Sequence, residues 1–83
     1  MAVVRELGPS EPVETPDHVI VVKMDDGKYE VSGTAGAGRA DAHYLTPPPF
    51  EDRDDAMICA RSFAETHNLP VVHVKGFQLQ ADA

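Results

Sequence analysis

His18-Val-Ile-Val-Val-Lys-Met-Asp-Asp-Gly-Lys-Tyr-Glu-Val-Ser32 is the stretch that decides the fold. Its first half is dense in β-branched residues, Asp26-Gly27 is a strong tight-turn dipeptide, and its second half alternates apolar with polar. These are the marks of a β-hairpin. A two-residue loop at Asp26-Gly27 would set Asp25 opposite Lys28, Lys23 opposite Glu30, Met24 opposite Tyr29 and Val22 opposite Val31. One face would then carry Ile20, Val22, Met24, Tyr29 and Val31, and the other Val19, Val21, Lys23, Glu30 and Ser32. A slip of one residue would exchange the faces of one strand.

Downstream, Gly33 to Phe50 reads as a long connection, glycine-rich at its start and closed by Pro47-Pro48-Pro49. So long a link in a small domain is either floppy or a working loop. Residues 51–68 read as a helix. Glu51, Asp52, Asp54 and Asp55 crowd its start, where they complement the positive end of the macrodipole, and Phe50 is placed to pack as a staple. Helical spacing puts Ala56, Cys59, Ala60, Phe63 and His67 on one stripe, with Ala64 at its edge, and leaves Ile58 outside between Asp54, Arg61 and Glu65. Asn68 suits a left-handed cap, Leu69 can close it, and Pro70 stops the helix. Val71-Val-His-Val-Lys75 then reads as a further strand.

Upstream, residues 1–17 read as a flexible arm, because Pro9, Pro12 and Pro16 recur among Glu6, Glu11, Glu14 and Asp17. Such an arm is either a plain tail or a strap that docks along a neighbour. The folded domain is expected over 18–77, with 78–83 a short tail.

The resulting expectation is an α+β domain of β-β-α-β type, a three-stranded sheet with one helix packed on one face. Chain direction makes the last strand parallel to the first hairpin strand, and a crossover connection can set them side by side in the order 2-1-3. On that reading Val72 and Val74 join the helix-covered face. The opposite face, which also carries His73, would hold Val19, Val21 and Val71 as an apolar centre within a polar rim, which is the anatomy of a contact surface.

Bulk properties narrow the function classes. An 83-residue chain builds one small core, a size at which help from a partner subunit is common. Its lone cysteine, Cys59, excludes an internal disulfide and favours a reducing compartment. With 14 acidic and 7 basic side chains the net charge is −7, the wrong sign for a direct nucleic-acid binder or an anionic membrane surface. Neither a secretory leader nor a run of about 18–20 apolar residues is evident, so a cytoplasmic setting is expected.

Each feature that invites a chemical reading falls short. Gly33-x-x-Gly36-x-Gly38 lacks the helix that opens after a phosphate-cradling loop, and no lysine follows in the required place. His18, His43, His67, His73, Asp41 and Cys59 show no compact metal-ligand spacing. Cys59 falls on the apolar helical stripe, where cysteine packs as a small hydrophobe, and no serine has a triad partner. The expectation is therefore no catalytic residue, no metal and no cofactor.

His18-Val-Ile-Val, Asp26-Gly27-Lys28-Tyr-Glu-Val, the helix with Asp55-Ala56 and Ala60-Arg61, and Val71-Val-His-Val-Lys-Gly76 together resemble a family of small, uncharacterised bacterial hairpin–helix–strand domains. The resemblance spans residues 18–76, and the long Gly/Pro link departs from it. It implies the fold and carries no activity.

The expected role is a non-enzymatic interaction or accessory domain that binds a protein partner or itself as a homo-oligomer. Val19, Val21, Val71, His73 and Ile58 are its candidate interface residues, with the arm and the long loop as further contact segments. A second reading is an acidic regulator that places Glu51, Asp52, Asp54 and Asp55 in the basic site of a nucleic-acid-handling protein. A third, an assembly or virion accessory protein, rests on the arm.

Overall fold

The computed structural model describes residues 3–8, 16–36, 40 and 42–76. Within them the chain runs β1 (Val3–Leu7), β2 (His18–Lys23), β3 (Tyr29–Ala35), β4 (His43–Leu45), α1 (Arg53–Thr66) and β5 (Val71–Lys75). The five strands form one mixed sheet in the order β1-β5-β2-β3-β4. The fold is α+β with one helix on one face, as expected, and β5 lies parallel beside β2 in the expected place. The sheet nevertheless has five strands, where three were read.

The two added strands come from the segments read as arm and loop. Val3–Leu7 pairs parallel with β5, Val4 opposite Val72, and the Val3 N–H donates to the Pro70 carbonyl at 2.9 Å. Of its apolar residues, Leu7 is buried, Val4 is half-buried and Val3 is exposed. His43–Leu45 runs antiparallel to β3, with Leu45 opposite Gly33. Farther along β3, the Tyr29 and Phe50 backbones exchange two hydrogen bonds of 2.8 Å. Within the 33–50 connection, His43–Leu45 and Phe50 thus pair along the edge of β3.

The hairpin register also differs from the expected one. Val21 lies opposite Val31, Val22 opposite Glu30 and Lys23 opposite Tyr29, where a two-residue loop would have set Val22 opposite Val31. The cause is the turn. Met24 N–H donates to Lys28 O at 2.8 Å, Gly27 N–H donates to Met24 O at 3.0 Å, and Gly27 adopts φ +87°. This is a three-residue loop in which a left-handed glycine forms a bulge after a tight turn. The Asp26 carboxylate accepts from the Lys28 N–H at 3.0 Å and holds the loop shut. One extra loop residue turns β2 over. Val19 and Val21 become fully buried in the core, while Ile20 and Val22, expected beneath the helix, are only half-buried. Two positions chosen as interface residues, Val19 and Val21, therefore belong to the core.

The helix packs onto the side carrying Val19, Val21, Val31, Ala35, Val72 and Val74. It contributes Ala56, Met57, Ala60, Phe63 and Ala64, while Cys59 and His67 are half-buried. Small side chains on both layers bring the helix axis close to the sheet. Gly33 shows how close, since a Cβ there would sit 2.8 Å from Phe63 Cε2 and 3.1 Å from the His18 carbonyl oxygen. Asp52 caps the start of the helix, its side chain accepting from the Asp54 N–H at 2.9 Å. At the other end Asn68 takes φ 57°, Leu69 N–H donates to Ala64 O at 2.8 Å and Asn68 N–H to Glu65 O at 3.4 Å. That double bond pattern is the Schellman closure, with Leu69 buried against the core.

The register yields a direct test. Val21→Ala should lower the unfolding free energy by about 2 kcal/mol or more, and Val22→Ala by less than half of that, in urea titrations. The reverse order would restore the two-residue loop. Gly33→Ala should cost about 1–3 kcal/mol by overpacking against Phe63, and Phe63→Leu in the same chain should recover part of that loss.

Candidate interaction surface

The sheet face turned away from α1 is built from the strand residues that alternate with the core. Cα partners share a face, so Val3 and Val71, Arg5 and His73, and Ile20 and His73 lie on the same side. Val22 and Lys75 follow them, with Glu30, Ser32 and Thr34 on β3 and Tyr44 on β4. Ile20 and Val22 on β2 and Val71 on β5 are half-buried there. At its two margins Val3 is 64% and Tyr44 69% exposed. Leu7 and His73 are buried on this same side, at 7% and 8%. Apolar side chains thus run along the face, with charged Arg5, Glu30 and Lys75 among and around them.

Of the expected interface residues, this face brings together Val71 and His73. Ile58 stands apart on the outer side of α1, 66% exposed. Ile20, Val22, Val3 and Tyr44 take the places that Val19 and Val21 had been given. Only the turn geometry could have revealed the exchange in β2, since four consecutive β-branched residues offer either face equally well. Tyr44 carried a β-propensity signal that was read as loop because Gly36 and Pro47 bracket it.

The acidic group at the helix start is placed as expected, with Glu51, Asp52, Asp54 and Asp55 all exposed. Asp52 already serves as the N-cap. Asp54 lies 3.8 Å from Arg53 with its side chain 80% exposed, a contact that solvent screens to little effect.

The histidines separate into two settings. His43 and His67 lie with ring centroids 5.0 Å apart, and His67 also meets Phe63 at 4.6 Å. This contact ties β4 to the end of the helix. His18 Nδ1 lies 3.2 Å from the Pro16 carbonyl oxygen. Among the described residues no group of three or more His, Cys, Asp or Glu is arranged to hold a metal ion. Gly33 is a packing position beneath Phe63, and Gly36 ends β3 at φ +76°. Asp41, Gly38, the prolines at 9 and 12, and the tail from Phe77 onward lie outside the described residues. No described helix is long and apolar enough to cross a membrane.

Comparison with known proteins adds no relative, because no family model, curated protein or solved structure matches this chain.

Cys59 packs at the edge of the core, and its burial pushes the thiol pKa up. The thiolate is the reactive form, so the folded chain should hold less of it at pH 7–8 than an unstructured cysteine does. Alkylation of Cys59 by iodoacetamide should accordingly be several-fold slower in the native protein than in urea. Equal rates would place the thiol in an open, activated setting.

Proposed function

We propose that this chain is a non-enzymatic interaction domain that binds protein through the sheet face away from α1. The observation that carries the reading is the distribution of apolar residues over the two faces. One helix covers one side of a five-stranded sheet, and the other side still presents Ile20, Val22 and Val71 between exposed Val3 and Tyr44. An apolar centre interleaved with charge is how non-obligate protein interfaces are composed, and aromatic residues such as Tyr44 are enriched in them. The net charge of −7 argues for a protein partner over a nucleic acid. The packing of Cys59 against the core and the use of Asp52 as a helix cap give two reactive residue types structural work. A cytoplasmic setting belongs to the same proposal and rests on the lone cysteine, Cys59.

Val3 and Tyr44 are the positions for the test, since both are exposed and tolerate charge without loss of the core. Wild-type chain immobilised in extract of its native cell should retain a defined protein. The Val3→Asp/Tyr44→Asp chain, with an unchanged melting temperature, should lose that protein by tenfold or more, which is about 1.4 kcal/mol or more, and Ile58→Asp should keep it. Equal recovery by all three chains, or no protein retained by the wild type, would overturn the reading.

A further inference from the structure

We propose that the outer face of α1 is a separate self-association surface, which pairs two copies of this chain through antiparallel helices. Ile58 stands at the middle of that face, 66% exposed. Beside it is a concavity of about 420 Å³ lined by Arg53, Asp54, Met57, Ile58 and Arg61. An exposed apolar side chain alone is ordinary. What singles out this one is the sequence of charges around it.

Residues 54, 58, 61 and 65 share one helical stripe, reading Asp, Ile, Arg, Glu. Charge of one sign would fit a partner of the opposite sign. This stripe carries both signs, and an inverted copy shifted so that Asp54 meets Arg61 pairs them, with Glu65 passing opposite Phe50 at the helix start. With a two-fold axis between Met57 and Ile58, opposing residues have numbers that sum to 115. Ile58 then falls at the concavity beside the other copy's Met57, which is itself only 6% exposed, and Arg61 meets Asp54, each contact occurring twice as two-fold symmetry requires. Arg53 falls opposite Ser62, within a turn of Glu65. A parallel alignment would set Asp54 on Asp54 and Arg61 on Arg61. The antiparallel arrangement also opposes the two helix dipoles favourably.

The concavity beside Met57 gives the partner's Ile58 a place to enter. Arg53 and Asp54 keep their side chains 38% and 80% exposed, their mutual contact being a loose 3.8 Å, so both can turn outward at little cost. A helix of 14 residues is about 21 Å long, and one such pair buries less than the roughly 1,000 Å² of a stable interface. The expected product is a weak dimer, seen at high concentration. It is independent of the sheet face, and its failure would leave that reading as it stands.

Sedimentation velocity from micromolar to millimolar chain, with native mass spectrometry, tests the pairing. Wild type should pass from monomer to dimer with rising concentration. Ile58→Asp should weaken the dimer about tenfold or more. Asp54→Arg alone and Arg61→Asp alone should each be monomeric, since each sets like charges opposite one another. Mixed in equal amounts, those two chains should form a one-to-one heterodimer, recognisable by its mass. Val3→Asp/Tyr44→Asp should dimerise like wild type. A wild type that stays monomeric at millimolar concentration, single charge variants that dimerise as wild type does, or a mixture that fails to pair would each overturn the proposal. Circular dichroism melts of every variant separate lost pairing from lost folding.

Discussion

The turn at Asp25-Asp26-Gly27 controls which side of β2 meets the helix. Its two backbone bonds, Met24 N–H to Lys28 O and Gly27 N–H to Met24 O, need φ +87° at Gly27, a conformation glycine adopts without a Cβ penalty. Side chains alternate with a period of two, so one residue more or less in this loop reverses every side chain of the strand. The choice is felt across the sheet. Val21 buried opposite Val31 puts Val19 opposite Gly33, and Val21 beside Val74. Those five positions are the ground on which α1 sits.

Close approach of the helix is the second constraint, and it follows from the first. With Val19 opposite Gly33, the missing Cβ at Gly33 leaves a gap that the Phe63 ring fills. Ala56, Ala60 and Ala64 bring no bulk of their own, so Phe63 and Met57 supply most of the helix's apolar volume. An alanine-rich helix on a valine-rich sheet packs closely with few large side chains, which suits a chain too short to build a thick core. The Schellman closure at Asn68 then turns the chain so that Leu69 seals the end of this layer and β5 begins at once.

How much of this was legible follows from which residues carry unambiguous patterns. The helix ends were readable because Asp52, Asn68, Leu69 and Pro70 each have one conformational preference and all agree. The order β3-β2-β5 was readable because chain direction and the crossover rule leave few choices. β2 was not, because His18-Val-Ile-Val-Val is apolar on both sides and only the loop decides. β1 and β4 were hidden by prolines and glycines, which were taken to rule out pairing. At a sheet margin they are compatible with it. Pro47, Pro48 and Pro49 follow β4 at the outer edge, where a missing N–H is no loss and blunts pairing with other chains. Arg5 and Glu6 charge the opposite edge for the same effect. Of the candidate interface residues, Val71 and buried His73 lie on the sheet face away from α1, Ile58 is exposed on the helix, and the turn moves Val19 and Val21 into the core.

The edges and the faces of this molecule therefore differ in kind. Both edges are defended, one by proline and one by charge, so strand addition at either is disfavoured. The acidic residues at the helix start are explained by local physics, since Asp52 caps the helix and its neighbours complement the macrodipole. Ile58 and Arg61 have no such local explanation. Both are exposed, and neither belongs to the core cluster or caps the helix. The same holds for Val3 and Tyr44, whose backbones pair while their side chains face outward. Exposed residues that the fold does not need are the ones free to serve recognition, and here they fall on two separate faces. One is the broad apolar-polar sheet surface proposed to bind a different protein. The other is the narrow helical stripe proposed to pair with a second copy, Asp54 against Arg61.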